Sequence, residues 1–178
     1  DAYQLIVDRS EHLCGIVLEY DTSKELKRTV KINNKSYNPT DVNIGFIGAG
    51  SFAQNFLLPN LSNENLINVA TARATTARNV ANKFGFDNCT GDADEVINNA
   101  DINTIFIATP HNLHANYVIK ALQANKNVFV EKPLSLTKEE LEEIAEAESK
   151  SSAQVMVGFN RRFAPQIVAL KKELNESL

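Results

Sequence analysis

The sequence predicts an α/β domain built on a doubly wound parallel sheet. Two observations carry that expectation. From Val42 onward, short β-rich runs alternate with helical patterns of ~10–15 residues, the rhythm of right-handed βαβ units. The runs are also almost continuously apolar, as strands covered on both faces should be.

Taken in order, "VNIGFIG" (42–48) is the first strand and runs straight into glycines. "NLINVATA" (65–72), "NTIFIAT" (103–109), "KNVFV" (126–130) and "AQVMVGF" (153–159) are the strands that follow. Between them, "ATTARNVANKFG" (74–85) puts Val80, Ala81 and Phe84 on one helical face and ends on Gly85, a natural C-cap. "NLHANYVIKALQANK" (112–126) spaces Leu113, Val118, Ala121 and Leu122 helically. "LTKEELEEIAEAESK" (136–150) opens with Thr137 three residues before Glu140, a capping-box pattern with acidic early turns that suit the helix dipole. "APQIVALKKELNESL" (164–178) is an amphipathic helix with Pro165 near its start. Residues 42–178 therefore form the expected domain. Residues 1–41 stand outside the rhythm: a short helical pattern, a strand candidate "CGIVLEY" (14–20), and a polar linker that holds one short strand around Thr29–Ile32.

Composition narrows the function classes. The chain has 178 residues, 43% hydrophobic and 22% charged, with a formal charge of −4. That balance lacks the basic footprint of a nucleic-acid binder. No apolar run reaches the ~18–20 residues needed to cross a bilayer, and "DAYQLIVDRS" has neither the basic start nor the apolar core of a signal peptide. Cys14 and Cys89 have no metal-ligand spacing and are expected to be buried free thiols in a reducing cytoplasm. No metal site is expected. The sole methionine is Met156, so the chain is expected to be part of a longer protein.

"GFIGAGSFA" sets Gly48, Gly50 and Ala53 in a GxGxxA frame between a strand and a helix, the context that a dinucleotide-binding turn requires. Gly48 permits the tight turn, Gly50 lets the backbone approach a pyrophosphate, and Ala53 allows close helix–strand packing. Free N–H groups at Ser51 and Phe52 and the helix dipole would then hold phosphates. An acid is expected about 20 residues on, at the end of the second strand, to hold the ribose hydroxyls. Thr71, Ala72 and Arg73 stand there instead. No carboxylate repels a 2′-phosphate, and Arg73 can pair with one, so NADP is favoured over NAD.

In an open α/β sheet, ligands bind outside the carboxyl ends of the strands. Further unusual residues gather at that edge. "ATPHNLH" (108–114) carries Thr109, Pro110, His111, Asn112 and His114, with Asn112 a candidate helix cap. "VFVEKP" ends a core strand in Glu131, Lys132 and Pro133, and "GFNRRF" (158–163) adds Asn160 and Arg161 as candidate cofactor contacts. Each cluster alone could be a solvated loop. Their convergence on the edge of the glycine turn argues for a crevice.

"IGFIGAGSFA", "TPHNLHANYVIKALQANKNVFVEKPLSL" and "VGFNRRFAP" resemble the glucose–fructose oxidoreductase / inositol dehydrogenase (Gfo/Idh/MocA) family over residues 42–178. The resemblance implies a Rossmann domain for NAD(P), followed by an α/β substrate domain that also mediates oligomers. It implies hydride transfer on sugars, cyclitols or related carbonyl compounds. It places the family's motif lysine on Lys132, at the nicotinamide and the substrate hydroxyl, and the cofactor-side acid on Glu131. Thr109, Pro110 and His114 fall on the segment that lines the cofactor. The family's frequent Asn after that proline is His111 here, with Asn112 next, which leaves that contact open. The family's catalytic histidine comes from the second domain, and no histidine follows His114. This chain alone is therefore expected to lack the general acid/base, most of the substrate pocket and the usual interface. The resemblance also suggests a cis Lys132–Pro133 bond. Residues 1–20 resemble the end of a zinc-type medium-chain alcohol dehydrogenase, a remnant of a preceding domain.

Two further readings stand beside the enzyme. A dinucleotide-binding sensor or regulatory module would share the glycine turn but would have no use for a lysine at the nicotinamide end. A phosphate or nucleotide-sugar binder without redox chemistry is disfavoured, because no GK[ST] element is present.

Overall fold

In the computed structural model the described residues are 4, 7, 8, 14–19, 23 and 29–176. The strands are β1 (Thr29–Lys31), β2 (Asn43–Ile47), β3 (Asn65–Ala70), β4 (Asn88–Thr90), β5 (Thr104–Ile107), β6 (Asn127–Glu131) and β7 (Val155–Gly158). They form one sheet in the order β1-β4-β3-β2-β5-β6-β7. All pairings are parallel except β1 with β4. The main helices are α1 (Ala74–Phe84), α2 (Ala93–Ile97), α3 (His114–Gln123), α4 (Lys138–Ser149) and α5 (Pro165–Glu176). The order reverses at β2, which pairs with both β3 and β5, so a topological switch point opens beside the glycine turn.

The apolar runs fill two faces. Ile47, Ile105, Ile107, Val128 and Val130 pack with Val118, Leu122 and Ile144 under α3 and α4. Ile44, Phe46, Leu66 and Val69 pack on the opposite face with Val80 and Ala81 of α1, and with Phe86. Along that second face the register aligns Phe46, Phe106 and Phe129 on neighbouring strands. Their rings stack, with centroids 5.6 and 4.9 Å apart. Such offset stacks hold adjacent strands beyond what area burial alone supplies.

The local signals behave as their chemistry requires. Gly85 takes φ +82° as the αL cap of α1, where its N–H meets the Ala81 carbonyl. Thr137 and Glu140 form the capping box of α4. Other expectations need correction. Residues 88–90 form a strand and 93–97 a helix, neither of which the pattern revealed: β4 is three residues long and α2 barely more than a turn. Asp92 caps α2 by accepting from the Asp94 N–H. Asn112 caps nothing. It lies inside a 3₁₀ turn (His111–Leu113), and the residue before α3 is Leu113, without a side-chain cap. Residues 15–19 are not a strand, and most of the expected N-terminal helix lies outside the described residues. Cys14 is exposed, whereas Cys89 is buried, and both are free thiols.

The expected strand around Thr29–Ile32 is present as β1, and the polar stretch after it is fastened to the sheet. The Ile32 and Asn33 N–H groups donate to the Asp87 carbonyl. The Tyr37 hydroxyl donates to the Asp87 carboxylate, and Asn103 binds the carbonyls of Pro39 and Asp41. Burial, and then this contact with Asp87, drives the Tyr37 phenol well above its ordinary range. At the other end, α5 packs on little, and Ile167, Val168, Leu170 and Leu174 are about half exposed. No helix among the described residues is long and apolar enough to cross a membrane.

Candidate functional site

The turn after β2 is tight for a steric reason. Gly48 has φ +85°, and a Cβ there would lie 2.6 Å from the Ala108 carbonyl oxygen and 2.7 Å from Thr109 Cγ2. Only glycine lets β2 and β5 end this close together. Gly50 differs, since a Cβ there would meet no atom within 4 Å. The packing of the chain does not demand a glycine at this position. Its bare backbone instead faces open space, as a turn that admits an outside group should. Helical residues follow, beginning at Ser51 and Phe52 and passing through a π-helical turn (Ala53–Leu57) and a 3₁₀ turn (Leu58–Asn60), with buried Ala53 against the sheet. The expected helix is thus present but wider-wound and short.

β6 delivers the next residues. Val128 and Val130 point into the α3–α4 face, so Phe129 and Glu131 point to the other. Glu131 is paired in register with Gly158, whose missing side chain makes room for it: a Cβ there would sit 3.0 Å from Glu131 Oε1. Sequence reading overlooked this glycine, whose only signal was its place at the end of a strand. Lys132 is exposed, and the Lys132–Pro133 bond is cis. After β5, His114 is fully buried. Its Nε2 lies 2.9 Å from the Thr109 carbonyl and its Nδ1 2.7 Å from the Pro133 carbonyl. A solvated loop would leave both histidines exposed; His114 is buried, whereas His111 is exposed.

These elements enclose a cavity of about 280 Å³. Gly50, Phe52 and Ala53 of the turn line one side. Thr109, His111 and His114 line a second, with Ala108, which the sequence reading had not singled out. Glu131, Lys132 and Asn160 line a third. Gly48, Ser51, Pro110, Asn112 and Arg161, each close in the chain to a lining residue, do not themselves line it. Thr71, Ala72 and Arg73 lie apart, past the end of β3, where the Thr71 hydroxyl donates to the Arg73 carbonyl at 2.8 Å. The Arg73 side chain is exposed. Larger hollows, of about 460 and 430 Å³, lie beside α2 and between α3 and α4. Neither gathers residues from the carboxyl ends of several parallel strands, so the chemistry is assigned to the smaller cavity. Among the described residues no cluster of His, Cys, Asp or Glu could hold a metal ion.

Burial raises the affinity of the Glu131 carboxyl for its proton. The Lys132 backbone N–H and the charges of His114 and Lys132 oppose that effect. A carboxyl with a raised folded-state pKa stabilises the fold at low pH and loses that contribution as pH rises through the folded value. Thermal melts of wild type and Glu131→Gln between about pH 4 and about pH 8 should show this. The wild type should lose ground to the variant as pH rises. Parallel curves would exclude Glu131 as the source.

The sequence model of the oxidoreductase family with an NAD-binding Rossmann fold, Gfo/Idh/MocA, matches residues 42–159. The chain belongs to the Gfo/Idh/MocA family. Its Rossmann segment is 34% identical to the inositol 2-dehydrogenase of Rhizobium meliloti over 137 residues, or 76% of this chain and 41% of that protein. It is 38% identical to levoglucosan dehydrogenase of Pseudarthrobacter phenanthrenivorans over 108 residues, or 61% of this chain and 28% of that one. Among solved structures, levoglucosan dehydrogenase in complex with NADH and levoglucosan superposes with a TM-score of 0.69 at 32% identity, covering 76% of this chain and 39% of that one. A 3-ketoreductase from Actinomadura kijaniata, in complex with NADP and TDP-benzene, superposes with a TM-score of 0.70 at 25% identity, covering 77% of this chain and 44% of that one. The chain thus spans less than half the length of these Gfo/Idh/MocA relatives. It is an NAD(P)-binding oxidoreductase domain of that family.

Proposed function

We propose that this domain holds NADP or NAD, with NADP favoured, for hydride transfer to or from a hydroxyl or carbonyl carbon of a sugar- or cyclitol-like molecule. The observation that carries the reading is the cavity that joins the open Gly50 backbone to Lys132 at the switch point. The bare glycine turn fits a pyrophosphate, and the cavity beyond it fits a nicotinamide end. When bound, the nicotinamide supplies or accepts the hydride. The chain's own groups do the rest. N–H groups at the start of the helical segment that begins at Ser51 bind phosphate oxygens. Phe52 closes one side and excludes water. The Lys132 ammonium donates to the reacting oxygen and orients it, and it steadies negative charge that develops there. Glu131, beside it, accepts the Lys132 backbone N–H.

Preference for NADP rests on residues 71–73. No carboxylate stands among them, and Arg73, exposed just before the N-terminus of α1, is the cation that would pair with a 2′-phosphate. The inositol and levoglucosan relatives support a polyhydroxylated substrate class. A reducing, cytoplasmic setting agrees with the free Cys14 and Cys89 thiols.

Titration of the chain with NADPH and NADH, followed by nicotinamide fluorescence, tests this reading. Both should bind, and Lys132→Ala should change the nicotinamide emission and weaken binding by about three- to tenfold. If affinity and emission are unchanged in Lys132→Ala, the role given to Lys132 is wrong. A preference for NADH of about tenfold or more would overturn the NADP assignment.

A further inference from the structure

We infer that His114 is a positioning residue that works as an imidazolium, protonated on both ring nitrogens, and that it ties the end of β5 to the turn after β6. Each ring nitrogen faces a backbone carbonyl, Pro133 at 2.7 Å and Thr109 at 2.9 Å. A carbonyl oxygen can only accept. A neutral imidazole has a single N–H, so its other nitrogen would press a lone pair against an oxygen at hydrogen-bond distance. The side chain is fully buried, which leaves no solvent to relieve that contact. Turning the ring over would set carbon atoms against both oxygens and lose both bonds. Only the doubly protonated ring satisfies the two carbonyls together.

The position explains why such a clamp is needed. The β5–β6 ladder ends at the Ile107–Val130 pair. Thr109 and Pro133 lie beyond it, past the last ladder hydrogen bonds, so the two strand ends would be free to splay. His114, the first residue of α3, reaches both. It thereby fixes the wall of the cavity that carries Thr109 and Lys132. Among the described residues the titratable groups that line the cavity around it are Glu131, Lys132 and His111, whose ring centroid lies 5.7 Å away. That this wall serves a nicotinamide rests on the function proposed above, whereas the double protonation does not.

The test has two arms. Long-range ¹H–¹⁵N correlation spectra of the labelled chain, which has three histidines, report each ring's protonation directly. At neutral pH both His114 nitrogens should show imidazolium shifts, and a single protonated nitrogen would overturn the inference. This arm uses the wild-type chain and so holds whether or not variants fold. The second arm compares His114→Gln and His114→Phe with wild type in binding NADPH and ADP-ribose, which lacks the nicotinamide. NADPH affinity should fall about tenfold or more while ADP-ribose affinity stays within about twofold. Equal losses, or none, would overturn the positioning role. If wild type binds neither ligand, the function proposed above fails, and the spectra still decide whether the clamp exists.

Discussion

Gly50→Ala should leave the fold intact and lower dinucleotide affinity by roughly 100-fold, about 2.7 kcal/mol. The structure gives both halves of that expectation. A Cβ at residue 50 meets no atom within 4 Å, and the backbone there needs no positive φ, so the native packing is not disturbed. Gly50 nevertheless lines the cavity, so the added methyl occupies space that a pyrophosphate would need. A thermal melt and an NADPH titration of the same sample check the two halves separately. An unchanged melt with unchanged binding would show that this turn is not the phosphate cradle.

Gly48→Ala should behave in the opposite way and damage the fold itself. The new side chain would have to adopt φ near +85° and place its Cβ 2.6 Å from the Ala108 carbonyl oxygen. A single residue held in the left-handed region costs about 1–3 kcal/mol, and overpacking against backbone adds about as much again. The loss should lower the melting temperature by roughly 5–10 °C or more in a chain of this size. The obstacle is a carbonyl and not the far end of a flexible side chain, so the ends of β2 and β5 must separate. Binding should fall as a consequence of that separation. A melt within about 2 °C of wild type would show that the two strand ends yield cheaply, and the steric account of the turn would be wrong. The two glycines carry the same motif, yet one serves the protein's own packing and the other serves a visitor.

Much of this was legible in the chain. Apolar runs such as "NTIFIAT" announced strands because burial on both faces leaves no polar positions. Gly85, Thr137 and Glu140 announced helix ends because their chemistry is local. The residues gathered at the sheet edge were also visible, since each follows a strand in a parallel sheet and so must fall on the same side. What stayed hidden depends on partners distant in sequence. β4 is only "NCT", and it becomes a strand because β3 and β1 supply hydrogen bonds on its two sides. Asn112 looked like a cap, but the chain spends those residues on a 3₁₀ turn. Gly158 looked unremarkable until its register with Glu131 gave it a purpose.

The sheet-forming runs, the glycine turn, the Glu131–Lys132–Pro133 strand exit and the membership of the Gfo/Idh/MocA family are all written in the order of residues along the chain. Those features are set by periodicity, by backbone freedom and by short motifs, all of which act over a few neighbouring residues. The packed fold, by contrast, sets His114 between two carbonyls, brings Ala108 and Thr109 from the end of β5 against Gly48, and leaves Gly50 facing open space. Burial and contact are properties of the packed sheet. No local pattern states which side chain will be enclosed when β5 and β6 come to lie side by side.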